Sequence, residues 1–359
     1  MPIKKLLNKF TYTPIEKIRG SHLPVLLYGM GNGAEKMYKV CVENNIIPDG
    51  VFASDGFKSG KTFLGYTVIP ASELKDLYPK GFIALVCFGC NSADMRMYIG
   101  RVKRLGGLVL MPHLPLFGGE FLDRQYFENK LPEIEKAYSL LSDPISKKIY
   151  EALCEYYLTW NPDVLFECDT NYGIFDHICE EYKVECAIDG GAYRGDTASM
   201  IAEYFPDIKT IHAFEPDPTN FKKLCDVSIS GINLIPYNAG LWKEEGTLQF
   251  DASHNRGAHF GEGESSIPVT TIDTSLNGSS AQLIKLDVEG CEEEAILGAV
   301  KTINKSLPIL YVSLYHKTDD FFKLPLMVHR IHKDYVLHFM RLPVCPAWDI
   351  ILVAEPGSH

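Results

Sequence analysis

A short apolar run that ends in glycine and leads into a helical stretch occurs twice in the chain. The first copy covers residues 25–33 and the second covers residues 186–197. A strand, a glycine turn and a helix are the unit of parallel sheets, and strands continue to alternate with helices after each copy. Because such crossovers are right-handed, the two copies predict two open α/β units with parallel sheets.

The 359 residues provide enough chain for these two units and a connection between them. Apolar residues make up 46% of the chain and charged residues 23%, as is typical of globular proteins. Prolines and glycines cluster near residue 119, and apolar residues then recur at helical spacing. We therefore predict an N-terminal Rossmann-like α/β domain over 1–119, a helical connector over 120–183 and a second α/β domain over 184–359.

The end of the chain narrows the fold class of the second domain. The patterns over 335–342 and 349–354 predict strands, joined by only the six residues Pro343 to Trp348. Six residues cannot hold a crossover helix, so the two strands must be antiparallel. A parallel sheet closed by an antiparallel hairpin is the plan of class I methyltransferases, whereas dinucleotide dehydrogenases usually end in another parallel strand.

Charge and composition disfavour several kinds of partner. The net charge is −11 and no basic block is present, so we expect no nucleic-acid or anionic-membrane partner. Neither a signal peptide nor an apolar run of about 18 residues is found, which predicts a cytoplasmic protein without a membrane span. Cys87 and Cys90 lack a second cysteine pair, so no metal site is expected there.

Acidic residues in the second glycine loop distinguish between possible ligands. Asp189 and Asp196 bracket the loop and would repel a pyrophosphate, but they would attract the ammonium and sulfonium of S-adenosylmethionine. Glu215 ends the next strand, where a carboxylate accepts hydrogen bonds from ribose hydroxyls. The plainer alternatives are that Asp189 caps a helix and Glu215 is a solvated strand end. The pattern predicts S-adenosylmethionine as the cofactor.

The second domain resembles the FkbM family of methyltransferases. Four stretches carry the resemblance, which extends over residues 184 to 355: Ile188-Asp-Gly-Gly-Ala-Tyr-Arg-Gly-Asp-Thr197, Ala213-Phe-Glu-Pro-Asp-Pro218, Val269-Thr-Thr-Ile-Asp273 and Ile284-Lys-Leu-Asp-Val-Glu-Gly290. It implies methyl transfer, usually to a hydroxyl oxygen, on a sugar, polysaccharide precursor, lipid or natural product. Tyr193 departs from the asparagine of many relatives. The expected donor-binding residues are Asp189, Gly190, Gly191, Ala192, Tyr193, Gly195, Asp196, Thr197, Glu215, Pro216 and Asn238.

The first glycine loop contains no acid before Glu35 and is therefore compatible with phosphate. Its surroundings resemble the N-terminal Rossmann-like domains of sugar acetyltransferases and related sugar-modifying enzymes, through Tyr28-Gly-Met-Gly31, Asp55-Gly-Phe-Lys-Ser-Gly60 and Leu64-Gly-Tyr-Thr-Val-Ile-Pro70. The resemblance implies a nucleotide-sugar ligand or a purely structural role. The candidate ligand residues are Gly29, Gly31, Asn32, Gly33 and Asp55.

Polar residues at the ends of the fourth and fifth strands of the second domain predict the catalytic centre. Asp287 and Glu289 follow one strand, His316 follows its neighbour, and Lys285 shares a strand face with Asp287. Histidine titrates near pH 6.5, which suits His316 as general base with Asp287 orienting it or the acceptor. Two alternatives stay open: the two acids hold a divalent cation that lowers the acceptor's pKa, or they only cap the next helix.

Other functions also stay open from sequence alone. One is an NAD-dependent oxidoreductase that uses the first glycine loop, and another is an inactive protein that binds nucleotide sugars. A polar loop with His254 and His259 follows a strand predicted near residues 246–251 and is a candidate cover for the site. The acceptor, a small molecule or glycan, and the oligomeric state are not predicted.

Overall fold

The computed structural model describes residues 2–56, 61–114, 116–117, 121–251, 259–260 and 265–357. The helices are α1 (Pro2–Lys9), α2 (Pro14–Arg19), α3 (Asn32–Glu43), α4 (Leu74–Leu77), α5 (Ser92–Arg104), α6 (Arg124–Leu140), α7 (Pro144–Thr159), α8 (Pro162–Glu167), α9 (Tyr172–Glu181), α10 (Asp196–Tyr204), α11 (Pro218–Cys225), α12 (Ile272–Leu276), α13 (Glu292–Leu297), α14 (Val300–Ser306) and α15 (Asp320–Ile331), with a 3-10 turn at Ala71–Glu73.

The strands fall into two large sheets and three small ones. They are β1 (Val25–Tyr28), β2 (Gly50–Ala53), β3 (Thr62–Phe63), β4 (Tyr66–Thr67), β5 (Ile69–Pro70), β6 (Phe82–Val86), β7 (Cys90–Asn91), β8 (Gly107–Leu110), β9 (Cys186–Gly190), β10 (Thr210–Phe214), β11 (Asn233–Tyr237), β12 (Gly240–Leu241), β13 (Gly246–Asp251), β14 (His259–Phe260), β15 (Ser265–Thr270), β16 (Leu283–Leu286), β17 (Ile309–Ser313), β18 (Tyr335–Arg341), β19 (Val344–Cys345) and β20 (Ile350–Pro356).

The N-terminal sheet has the order β5-β2-β1-β6-β8, and its strand pairs are parallel. The central strand β1 is buried along its whole length, which accounts for its uninterrupted apolar sequence. Helix α3 follows directly, with Gly31 as its N-cap. A Cβ atom at Gly33 would lie 2.2 Å from the carbonyl oxygen of Cys87, so only glycine lets this helix pack against the end of β6.

The segment between the two large sheets is helical, as its periodicity predicts, and comprises α6 to α9. Asp143 caps α7 by accepting a hydrogen bond from the Ser146 amide, the start that Asp143-Pro144 predicts. The ring of Tyr150 lies 5.5 Å from that of Phe321 and 5.2 Å from that of Phe339. The connector thus packs directly against the C-terminal sheet and α15.

The C-terminal sheet has the order β11-β10-β9-β16-β17-β20-β18. Its first five strands are parallel, and β20 runs antiparallel to both β17 and β18. The predicted closing hairpin is therefore confirmed, and the fold is that of class I methyltransferases. The sequence did not predict that the linker of the hairpin contains a strand, β19, which pairs with β7 beside the N-terminal sheet.

The predicted strand near residues 246–251 is β13, which lies in a separate four-stranded sheet of order β12-β15-β13-β14. The candidate cover loop cannot be placed against the site, because residue 254 and the side chain of residue 259 lie outside the described part of the structure. Among the described residues, no helix combines the length and apolar character needed to cross a bilayer.

Candidate active site

A cavity of about 690 Å³ opens at the carboxyl ends of β9, β10, β16 and β17. Ligands of open α/β sheets bind at this edge, and cavities of this size suit small molecules. The cavity is lined by Leu116, Phe117, Gly191, Tyr193, Asp196, Thr197, Phe214, Glu215, Pro216, Asp217, Asn220, Ala239, Gly240, Leu241, Lys285, Asp287, Val288, Glu289, Tyr315, His316, Trp348 and Asp349.

The glycine loop after β9 is compressed against the neighbouring strands. Gly191 has a φ of +75°, and a Cβ atom there would lie 1.9 Å from the backbone oxygen of Asp287. The amides of Gly191 and Ala192 both donate to the carbonyl oxygen of Phe214. A side chain at residue 191 would therefore separate β9 from β16, so glycine is required to bring the two strand ends together.

Glu215 is held at the end of β10 by backbone amides. Its carboxylate accepts hydrogen bonds from the amides of Tyr193 at 2.9 Å and Asp217 at 2.8 Å. Burial raises the pKa of Glu215 to about 7 although these hydrogen bonds oppose the shift. The side-chain amide of Asn238 donates to the backbone oxygens of Glu215 and Pro216 and so fixes the backbone at the end of β10.

Asp189 takes a different position from the one that the sequence predicts. It is 0% exposed and is not among the residues that line the cavity. Its Oδ1 lies 3.1 Å from Nζ of Lys285, which also donates to the backbone oxygens of Gly190 and Gly191. The carboxylate of Asp189 therefore faces Lys285 behind the cavity wall in this structure, and its contact with the donor stays a prediction. Four other expected donor contacts also lie behind the lining: Gly190, Ala192, Gly195 and Asn238.

His316 lies at the centre of a cluster of carboxylates. Its Nδ1 is 2.8 Å from Oε1 of Glu292, and its Nε2 is 3.5 Å from Asp287 and 3.4 Å from Glu289. Burial lowers the pKa of His316, but the carboxyl groups of Glu292, Asp287 and Glu289, with Glu292 contributing most, more than reverse this and raise it to about 10. The expectation of a histidine that titrates near 6.5 is wrong here, and at neutral pH the ring is an imidazolium.

The two acids after β16 differ in their ionisation. Burial raises the pKa of Asp287, but Lys285 and His316 lower it below the ordinary value, and the Tyr315 hydroxyl donates to Oδ1 at 3.0 Å. Burial raises the pKa of Glu289 to about 8, although His316 opposes the shift. Glu289 also has a φ of +54°, a strained conformation for a residue with a side chain. At neutral pH, Asp287 is therefore ionised while Glu289 is largely protonated.

Among the described residues, the same cluster brings possible metal-ligand atoms close together. Asp287, Glu292 and His316 each offer one ligand atom, and these atoms lie within 4.8 Å of one another. The sequence pointed to Asp287 and Glu289 for this role and did not foresee Glu292, which begins α13 four residues after Val288 and accepts a hydrogen bond from the Val288 amide. The imidazolium of His316 already supplies one positive charge between these carboxylates.

The five candidate residues of the first glycine loop lie apart from this cavity, at the N-terminal sheet. Asp55, one of these candidates, accepts a hydrogen bond from the Ser72 amide at 2.9 Å and pairs with Arg101, and its contact with a ligand stays a prediction. The other four candidates lie at or next to the start of α3: Gly29, Gly31, Asn32 and Gly33.

Twelve of the 22 lining residues were not predicted from the sequence, and four of these come from segments to which no site was assigned: Leu116, Phe117, Trp348 and Asp349. The first two belong to the predicted domain boundary, and the last two to the linker of the closing hairpin. The only sequence signal was an aromatic residue in each of two otherwise turn-like stretches. Such a signal does not show which sheet edge a loop will reach.

Known proteins resemble this chain in the sequence of its C-terminal part and in its fold. Residues 189–341 match the family model described as the methyltransferase FkbM domain. The structure is similar to that of methyltransferase FkbM from Methylobacillus flagellatus KT, with a TM-score of 0.72, 18% identity and 98% of each chain covered. It is also similar to an rRNA methylase from Streptococcus thermophilus, with a TM-score of 0.34, 12% identity, and 53% of this chain and 98% of that chain covered. No curated protein matches the sequence.

Proposed function

From the premise that residues 189–341 form a methyltransferase FkbM domain and the chain is a methyltransferase, we propose that it transfers the methyl group of S-adenosylmethionine to a hydroxyl oxygen. The acceptor hydroxyl belongs to a sugar, a polysaccharide precursor, a lipid or a natural product. The observation that carries this proposal is the acidic lining of the cavity, where Glu289 is largely protonated at neutral pH but five further carboxyl groups lie beside it: Asp196, Glu215, Asp217, Asp287 and Asp349.

The residues present fit this donor. Glu215 faces the cavity with lone pairs left after its two backbone hydrogen bonds, so it can accept the ribose hydroxyls. Asp196 at the start of α10 offers a carboxylate to the ammonium group. A dinucleotide would instead bring a pyrophosphate against these acids, which repel it.

The donor supplies a methyl group already activated on a sulfonium, so the protein has to align the acceptor and remove its proton. We assign to Glu289 the role of general base that accepts the proton of the acceptor hydroxyl, because its pKa of about 8 is close to neutral pH and its carboxyl group lines the cavity. The imidazolium of His316 cannot accept a proton. We propose that it positions the carboxyl groups of Asp287 and Glu289. Lys285 keeps the glycine loop against β16 through its contact with Asp189.

The negative cavity also limits the acceptor. Among the described residues, the cationic side chains of the lining are Lys285 and His316, and both are paired with carboxylates of the chain. A phosphate or carboxylate group near the methyl position would therefore meet repulsion that neither of these two cations is free to offset. A neutral hydroxyl compound meets no such cost, which favours hydroxyl acceptors over anionic ones.

The test is methyl transfer from labelled S-adenosylmethionine to a panel of methyl glycosides, with phosphorylated sugars, amines and carboxylic acids as comparison acceptors. We expect incorporation into at least one neutral glycoside, and mass spectrometry of the product should show an O-methyl ether. Transfer only to amines or carboxylates would overturn the hydroxyl assignment. The matched control is Glu289→Gln, which retains the shape of the side chain but cannot accept the proton.

A further inference from the structure

Part of the cavity wall lies outside the segment that the family model matches. Leu116 and Phe117 precede residues 189–341, and Trp348 and Asp349 follow them. Two of these four residues are aromatic, and they flank the carboxylates to which we assign catalysis. Because both aromatic residues depend on contacts with the N-terminal part of the chain, their positions reveal what that part contributes to the reaction.

Trp348 packs on a glycine that follows β6 of the N-terminal sheet. A Cβ atom at Gly89 would lie 2.1 Å from Cζ3 and 2.7 Å from Cε3 of the indole, so no larger residue at 89 leaves the ring in place. The ring reaches this glycine because β7 pairs with β19, which holds the hairpin linker against the N-terminal sheet. The position of the indole at the cavity therefore depends on residue 89.

Phe117 is held from two sides. Nζ of Lys36, on α3, donates to the backbone oxygen of Leu116 at 3.0 Å. The amide of Phe117 donates to the backbone oxygen of His316 at 3.1 Å, and the two rings lie 5.6 Å apart. The helix that follows the first glycine loop thus supports a residue that lines the cavity of the other sheet.

We propose that Trp348 and Phe117 form the surface against which the methyl acceptor packs, and that the N-terminal sheet serves to position this surface. The proposal rests on the proposed transfer to a hydroxyl. A neutral sugar ring has an apolar C–H face that packs against aromatic rings, and its hydroxyls can donate to the Asp349 carboxylate beside Trp348. The N-terminal part then contributes acceptor positioning through Gly89 and Lys36.

The first test changes the wall without changing a residue that lines the cavity. In Gly89→Ala the indole must move, and we expect KM for the best methyl glycoside to rise about tenfold with kcat within a few-fold. The affinity for S-adenosylhomocysteine should stay unchanged. Gly100→Ala, in α5 of the same region, is the matched control, since a Cβ atom there meets only the end of Arg104 at 3.6 Å. Equal KM values in the two variants would overturn the proposal.

A second test reads binding without turnover. In protein labelled with ¹⁵N-tryptophan and saturated with S-adenosylhomocysteine, the indole N–H signal of Trp348, assigned with Trp348→Phe, should shift when a methyl glycoside is added. Trp160 is 2% exposed and lies outside the cavity lining, so its signal should not move. No Trp348 shift with any glycoside at millimolar concentration overturns this inference even where methyl transfer occurs. A shift without methyl transfer would show that a sugar packs on Trp348 but would overturn the proposed function, and with it the assignment of that sugar as methyl acceptor.

Discussion

Nδ1 of His316 lies 2.8 Å from Oε1 of Glu292, and both side chains are 1% exposed. The pair joins the end of β17 to the start of α13, because Glu292 also accepts a hydrogen bond from the Val288 amide. A buried charge without a partner is strongly unfavourable, and the carboxylate of Glu292 is the largest of the charges that raise the pKa of His316. The strand ends that carry Asp287 and His316 are therefore held together by charge as well as by the sheet.

The first prediction concerns the pH dependence of turnover. The base must be deprotonated, so kcat should rise as Glu289 loses its proton near pH 8. It should fall again near pH 10, where His316 loses the charge that holds the cluster. Rates measured with the best acceptor from pH 6 to 11 provide the check.

Two variants separate this interpretation from a merely acidic site. Glu289→Gln should lower kcat about 100-fold and remove the rise near pH 8. The control is Glu293→Gln, because Glu293 lies on α13 and pairs with Lys323. This variant should retain both kcat and its rise near pH 8. A normal rate and pH profile in Glu289→Gln would show that another group accepts the proton.

The second prediction is a stability change with a defined pH window. The pKa of His316 is raised on folding from 6.5 to about 10, so its charge stabilises the fold fully below pH 6.5 and this contribution is lost as pH rises through about 10. His316→Gln should therefore lower the free energy of unfolding by about 3 kcal/mol at pH 6.5, since Glu292 loses its partner. The difference from wild type should be smaller at pH 10.5.

Chemical denaturation at the two pH values measures this effect. His332→Gln is the matched control, because that histidine lies at the end of α15 with a 3.8 Å contact to Asp334 and should change stability little. An equal loss of stability for His316→Gln at both pH values would contradict the assignment of a raised pKa.

The fold could be predicted from sequence to a useful extent because its signals are local. The six-residue linker before Asp349 excludes a crossover helix, and alternation of strands and helices predicts parallel sheets without knowledge of any contact. Asp143 before Pro144 marks the start of α7 by side-chain chemistry alone. In each case, a few neighbouring residues determine the outcome.

The chemistry of the site could be predicted only in part, because ionisation and loop placement depend on distant residues. The pKa of His316 is determined by Glu292, which is 24 residues away, and the charge of Asp189 is neutralised from β16. Trp348 reaches the cavity only because its linker pairs beside the N-terminal sheet. Neither hydrophobic periodicity nor motif spacing contains this information.

The third prediction concerns the divalent-cation alternative. A histidine that binds a metal must be neutral, whereas His316 is protonated at neutral pH and has Glu292 on Nδ1 and two carboxylates near Nε2. We therefore expect methyl transfer to proceed at an unchanged rate after treatment with a chelator. Loss of activity in chelator and its return with magnesium would show that a metal ion, and not the imidazolium of His316, supplies the positive charge in the site.

The fourth prediction concerns the donor site, and it starts from the position of Glu215 at the cavity. An ionised carboxylate accepts ribose hydroxyls better than a protonated one, so donor affinity should weaken as pH falls below about 7. Glu203→Ala serves as the control, because Glu203 is an exposed acid on α10 outside the cavity lining.

Calorimetric titration with S-adenosylhomocysteine, and in parallel with NAD, determines whether the carboxylate-lined cavity holds the methyl donor. We expect binding of S-adenosylhomocysteine that Glu215→Ala weakens about tenfold or more and Glu203→Ala leaves unchanged, with no binding of NAD in the cavity. Unchanged affinity in a folded Glu215→Ala variant, or NAD that competes with S-adenosylhomocysteine, would contradict it.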